Sequence, residues 1–197
     1  SMERTAGGSV YGLVGRTLGH SWSAPIHGAL GNEAYRLIEL EPEELAPFLS
    51  RPDIAGLNVT IPYKRDVVPH CDELSDDARA IGSVNTIVRN EDGQLIGHNT
   101  DAFGFGYLLD SAGISVAGEK VLVFGDGGAS ATVQWVLGER GAEVVVVSRS
   151  GPVTYADLDD HRDAGILINT TPLGMFPEVE RMVADPSEFP MAYAAVD

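Results

Sequence analysis

Apolar and polar positions divide the chain into short segments of two different periods. Residues 9–15 (SVYGLVG) form a nearly continuous apolar run ending in glycine, the pattern of a buried strand. Residues 23–30 (SAPIHGAL) follow as a helix opened by a serine cap. Residues 34–40 (AYRLIEL) alternate as a strand, residues 42–49 (PEELAPFL) place proline at the start of a short helix, and residues 54–61 (IAGLNVTI) form a third strand. Residues 72–82 (DELSDDARAIG) read as a polar helix. Two alternating runs then flank a turn at residues 90–93, which predicts an antiparallel hairpin. The first half, residues 1–100, is therefore expected to be an α/β domain with a mixed sheet.

Residues 100–113 (TDAFGFGYLLDSAG) carry apolar side chains at helical spacing between a threonine cap and a terminating glycine, as a bridging helix would. The rhythm then changes to βαβ. Residues 119–125 are a strand, 129–141 a helix and 142–148 a fully apolar strand; residues 165–169 are a third strand, and AYAAV at 192–196 a fourth. This alternation predicts a Rossmann-type dinucleotide-binding domain over residues 101–197. A sheet stopping at its fourth strand leaves an apolar edge uncovered, so this second domain reads as C-terminally truncated.

Charge and composition narrow the function. At 197 residues and 44% hydrophobic, the chain has the makeup of an ordinary globular protein. Acidic residues outnumber basic ones 29 to 13, which excludes a broad basic face and with it nucleic acid as the expected partner. No apolar run is long enough to span a bilayer, and the N-terminus lacks the basic and apolar regions of a leader, so a cytoplasmic protein without a membrane partner is expected. The single cysteine, Cys71, rules out an internal disulfide, and no Cys/His spacing suggests a metal site. An anionic ligand would need a local exception made of a few cations and backbone N–H groups.

VLVFGDGGASA supplies such an exception. Gly125, Gly127 and Gly128 stand at the strand-to-helix turn with Ala129 behind them, and Ser130 stands where the usual fingerprint has its third glycine. Backbone N–H groups there can approach a pyrophosphate at a helix N-terminus. After the next strand come Ser148, Arg149 and Ser150, where an NAD-specific unit would carry an acid; Arg149 suits a 2′-phosphate and favours NADP over NAD. Asp126, inside the glycine turn, opposes a phosphate unless its side chain points outward.

The chain has only two lysines. Lys120 precedes a strand in a polar turn and reads as surface. Lys64 ends the apolar run GLNVTIPYK just after Pro62, where a lysine with a carboxylate partner could protonate an alkoxide or deprotonate an alcohol. Taken singly, Asp101 reads as a helix-terminus carboxylate, HSWS at 20–23 as a turn and cap, and VNT at 84–86 as strand residues.

Taken together, these segments resemble the shikimate dehydrogenases, which reduce 3-dehydroshikimate to shikimate with NADPH in the shikimate pathway of aromatic amino acid biosynthesis. GHSWSAPIH resembles the family's H-S-x-S-P-x-x-H element, which implies that Ser21 and Ser23 hold the substrate carboxylate. GLNVTIPYK matches G-x-N-V-T-x-P-x-K, implying Lys64 as the catalytic residue and Thr60 as a substrate contact. IGSVNT and NTDAFGF match further elements, implying that Asn85 and Asp101 bind ring hydroxyls and that Asp101 partners Lys64. GDGGAS, SRS and INTTPLGM resemble the cofactor loop, the N-R-T element and the segment beside the nicotinamide, the last bringing in Thr170 and Thr171. In that family the lysine is held at the cleft between the two domains, where its ammonium would face the carbonyl oxygen that becomes an alkoxide as hydride arrives.

The chain departs from the pattern at Ala24 (usually proline), at Asp126 (usually small), at Ser148 (usually asparagine) and in lacking a second basic residue after Arg149. The motifs do not separate shikimate from quinate. A catalytically impaired shikimate-binding relative is the alternative if the absent C-terminal segment is essential. A third reading, a two-domain dehydrogenase of similar shape acting on a folate, lacks support from the serine pair and the NTD element.

Overall fold

A computed structural model describes residues 8–19, residues 35–171 and the backbone of residues 194–196. The helix expected at 23–30, together with Ser21, Ser23 and Ala24, lies outside the described residues. The chain packs as two units, Ser1–Thr100 and Asp101–Asp197.

In the first unit, β1 (Val10–Gly15) lies between β2 (Tyr35–Glu39) and β3 (Ile54–Val59), parallel to both. β3 pairs antiparallel with β5 (Thr86–Arg89), and β5 antiparallel with β6 (Leu95–His98). β4 (Glu73–Leu74) closes the edge parallel to β6, giving the order β2-β1-β3-β5-β6-β4. Proline opens α1 (Pro42–Leu49), where its missing N–H costs nothing, and Leu45, Phe48 and Leu49 recur at helical spacing to bury one face. That face joins Val14, Leu57 and Ile87 in the core.

Residues 72–82 are not one helix. Ser75 takes an extended conformation (ψ 160°) and its hydroxyl accepts from the Ala78 N–H at 3.3 Å, so α2 begins only at Asp76 (Asp76–Ile81). The residues before the cap, released from helical geometry, pair instead with β6. The Asp72 N–H donates to the Leu95 carbonyl (2.8 Å), and the Leu95 N–H to the Asp72 carboxylate (2.7 Å).

Cys71 packs beside this join: a Cβ on Gly97 would meet its Sγ at 2.9 Å. Burial, with a smaller push from the Asp72 charge, raises the thiol to about 11. The folded chain should therefore react with a thiol-alkylating reagent at mildly alkaline pH roughly tenfold more slowly than the unfolded chain, since the scarcer thiolate is only partly offset by its greater nucleophilicity. Equal rates in native and denaturing buffer would contradict this burial.

The second unit is a parallel sheet. β7 (Lys120–Phe124) pairs with β8 (Glu143–Val147) on one side and β9 (Ile166–Asn169) on the other, and β10 (Ala194–Val196) adds to β9, giving β10-β9-β7-β8. α3 (Asp101–Ser111) leads into it, and α4 (Gly128–Glu139) connects β7 to β8 and buries Val133, Val136 and Leu137. Leu122 and Phe124, two apart on one face of β7, form a cluster with Val147 and Leu167. Against that cluster lies a 3-10 helix, Tyr155–His161, that the periodicity did not announce; its start is fixed by a capping box between Thr154 and Asp157.

Lys120 is not a loosely held surface lysine. It opens β7 with its side chain only 16% exposed, and its Nζ lies 2.6 Å from Asp163 Oδ1, because pairing with β8 and β9 covers the stem and leaves the ammonium needing a partner. Arg140, just past α4, grips Asp110 with two nitrogens (2.6 and 3.2 Å) and the Gly106 carbonyl (3.1 Å), which fixes α3 against α4.

Candidate functional site

The lysine loop is held from both ends. The Thr60 N–H donates to the Val14 carbonyl (2.9 Å), the Tyr63 N–H to the Thr60 carbonyl (3.0 Å), and the Ile61–Pro62 peptide is cis. Tyr63 is fully buried and its phenol donates to the Leu40 carbonyl, so the loop cannot lift away without exposing that ring. Lys64 follows this anchor, half-buried. Its carbonyl accepts from the Val84 N–H at 2.7 Å, which joins the loop to the segment containing Asn85.

Asn85 is fixed just as firmly. Its carbonyl accepts from Val59 N–H (2.8 Å) and its N–H donates to His98 (3.0 Å). Its side chain grips Thr100 twice: Nδ2 donates to Thr100 Oγ1 (2.8 Å), and Oδ1 accepts from the Thr100 N–H (3.0 Å) and the Thr86 hydroxyl (3.1 Å). The second Nδ2 hydrogen is then the group it can offer a ligand. Asn99, buried and donating to the Ser83 carbonyl at 3.0 Å, holds the same corner. It stood unremarked within the NTD element, because its role is to hold backbone. The segments that carry Thr60, Lys64, Asn85 and Thr100 are thus joined by hydrogen bonds at the end of the sheet where β3 finishes and β5 begins. Asp101 is the next residue in the chain, the acidic residue in the first turn of α3.

In the second unit, β8 and β9 lie on opposite sides of β7, so the crevice at the carboxyl ends of β7 and β9 is a topological switch point. Gly125 ends β7 there with φ +108°, and a Cβ on it would come within 2.6 Å of Thr170 Oγ1. Thr170 closes the crevice from β9, its hydroxyl donating to the Phe124 carbonyl at 2.6 Å. Thr171 bonds back to Asn169 Oδ1 through its N–H and hydroxyl (3.0 and 2.6 Å). Gly127 precedes α4 with no side-chain cap and with nothing within 4 Å of where a Cβ would stand. With no side chain capping the helix, the N–H groups of its first residues, Gly128 and Ala129, could hold the pyrophosphate of a dinucleotide. Ser130, in the third-glycine position, is fully buried and accepts from Gln134 Nε2 (3.0 Å), so a small residue serves there.

At the end of β8, Ser148 is turned inward, its Oγ accepting from the Gly151 N–H at 2.9 Å and shaping the turn that exposes Arg149 and Ser150. Asp126 does point out of the glycine turn, but toward this segment: the Ser150 hydroxyl donates to its Oδ2 at 3.5 Å. Tyr155, stacked on Phe124 with ring centroids 6.1 Å apart, lies within the field of both charges. Burial raises its phenol, Arg149 lowers it and Asp126 raises it further. Sequence reasoning passed over Tyr155, although the Thr154/Asp157 spacing could have marked the helix that carries it.

Among the described residues no group of three or more His, Cys, Asp or Glu side chains could hold a metal ion, and no helix is long and apolar enough to cross a membrane.

Residues 13–87 match the family described as the shikimate dehydrogenase substrate binding domain. The NADP(+) shikimate dehydrogenase of Clostridium beijerinckii is 40% identical over 190 residues, covering 86% of this chain and 70% of that protein. The crystal structure of the Thermus thermophilus shikimate 5-dehydrogenase in complex with NADP(H) and shikimate is similar with a TM-score of 0.79 and 33% identity, over 96% of this chain and 78% of that one. A chorismate mutase/shikimate 5-dehydrogenase fusion protein from Clostridium acetobutylicum gives a TM-score of 0.82 at 32% identity, over 97% and 77%.

Proposed function

The chain belongs to the shikimate dehydrogenase family, and from that premise we propose that it interconverts 3-dehydroshikimate and shikimate as an NADP-dependent oxidoreductase. The observation that carries the reading is the linked set at one end of the first sheet. Lys64 is bonded through its carbonyl to Val84, and the neighbouring Asn85 is bonded to Thr100. One proton donor and several neutral polar groups are what the ketone of a polyhydroxylated ring requires.

Bound NADPH supplies the hydride. Lys64 holds the proton that the substrate oxygen takes during reduction and receives it back in the reverse direction. Asp101, one peptide bond beyond the Thr100 that Asn85 grips, is the carboxylate assigned as the partner of Lys64. Thr60 and Asn85 bond the ring hydroxyls, and Ser21 and Ser23 take the carboxylate without adding charge. Gly125, Gly127, Gly128 and Ala129 would hold the pyrophosphate; Arg149 and Ser150, on the turn shaped by Ser148, would receive the 2′-phosphate; and Thr170 and Thr171 would lie beside the nicotinamide. A single, shielded cysteine suits the reducing cytoplasm.

Thermal unfolding with and without shikimate tests the substrate half alone. A ligand present at a hundred times its Kd stabilises the folded state by about 2.7 kcal/mol, so shikimate should raise Tm by several degrees. An unchanged Tm at high shikimate would contradict the assignment.

A further inference from the structure

We propose that Asp126 sets this chain's discrimination between NADP and NAD by placing a carboxylate beside the group that would bind the 2′-phosphate. The inference rests on the cofactor assignment above and goes beyond it, because that assignment gives the glycine turn one task, holding the pyrophosphate.

Three observations place the charge. First, Asp126 sits in the turn between β7 and α4, and its side chain leaves that turn toward the end of β8, where Ser150 Oγ donates to Asp126 Oδ2 at 3.5 Å. Second, Tyr155, stacked on Phe124, feels both charges: Arg149 lowers its phenol and Asp126 raises it. Third, that region contains no other basic residue from this segment: after Arg149 the sequence runs SGPVTYADLDD, with its next charged residues acidic.

In a Rossmann unit the ribose bearing the 2′-substituent lies at the end of the second strand, here β8. A 2′-phosphate arriving there meets one guanidinium and one carboxylate. The carboxylate repels it, and also draws on Ser150, a hydroxyl that could otherwise donate to it. A cofactor with a plain 2′-hydroxyl carries no charge at that position and can donate to the carboxylate. Asp126 thus weakens NADP and spares NAD. It acts on affinity at the adenosine end and takes no part in hydride or proton transfer.

The test separates this role from the cofactor assignment by using fragments that differ only at the 2′ position. Dissociation constants of 2′,5′-ADP and 5′-AMP are measured by titration calorimetry for the full chain and for Asp126→Ala and Asp126→Asn, and kcat/KM for NADP and NAD is measured in parallel. The expected result is a roughly tenfold tightening for 2′,5′-ADP in both variants, with 5′-AMP unchanged or weaker and the NADP/NAD ratio of kcat/KM rising by a similar factor. The tightening should shrink as salt is added. An unchanged ratio in a folded variant that still binds both fragments overturns the role of Asp126 and leaves the cofactor assignment standing. Failure of the wild-type chain and both variants to bind any of these nucleotides overturns the assignment itself and the proposal with it.

Discussion

Replacing Lys64 with alanine should lower kcat for shikimate oxidation about a thousandfold, equivalent to about 4 kcal/mol of transition-state stabilisation, while leaving the KM for shikimate within a few-fold. The split follows from the way the residue is held. The bond that joins its loop to the Asn85 segment is made by the Lys64 backbone carbonyl, accepting from Val84 N–H at 2.7 Å, and alanine keeps it. Tyr63, which anchors the loop in the core, is also untouched. The variant therefore loses the ammonium and retains the frame around it. Steady-state kinetics on a variant with wild-type circular dichroism checks this. A fall in kcat of less than tenfold would remove Lys64 from the proton-transfer step.

Gly125→Ala should cost about 2 kcal/mol or more of folding stability and weaken NADP binding by over an order of magnitude. At φ +108° any L side chain is strained, and the added Cβ would stand 2.6 Å from Thr170 Oγ1 and 3.2 Å from Thr171 Cγ2. Thr170 has no easy retreat, because its hydroxyl and N–H both bond the Phe124 carbonyl (2.6 and 2.9 Å). The turn must then shift, and with it the N–H groups at the start of α4. Urea unfolding and NADP titration measure the two effects. Wild-type values for both would mean that the β7–α4 turn is not under the constraint described.

The elements that sequence patterning recovered are those whose signal is local and repeated. β7 and β8 each carry an unbroken apolar run after their first residue, Val121–Phe124 and Val144–Val147, and α1 declares itself by Pro42 and the Leu45, Phe48, Leu49 stripe. β4 could not be read in this way. Two residues carry no period, and their partner, β6, lies more than twenty positions further on. Ser75 was the available clue, since a cap in the middle of an apparent helix divides it.

The site was legible where its residues stand in motifs that the resemblance covers. Lys64, Thr60, Asn85 and the glycines stand in motifs, whereas Asn99 and the Tyr63 phenol hold backbone from within the fold and were not marked by their spacing. Asp126 shows the limit most clearly. Its presence in the glycine turn was plain from the sequence, but whether the carboxylate faced the pyrophosphate or the end of β8 depends on side-chain direction, which no periodicity encodes. Lys120 failed for a related reason: a lysine at the first position of a central strand is covered by neighbours that join it only in the folded sheet.

We propose that this chain moves hydride between shikimate and NADP with Lys64 as the proton carrier. The most direct measurement is the initial rate of NADPH formation from NADP on adding shikimate to the purified chain, with Lys64→Ala alongside at matched concentration. The expected result is a shikimate-dependent, saturable rate in the wild-type chain and near-complete loss in the variant. NADPH formation of equal rate in both proteins, or none in a wild-type chain that binds both ligands, would contradict it.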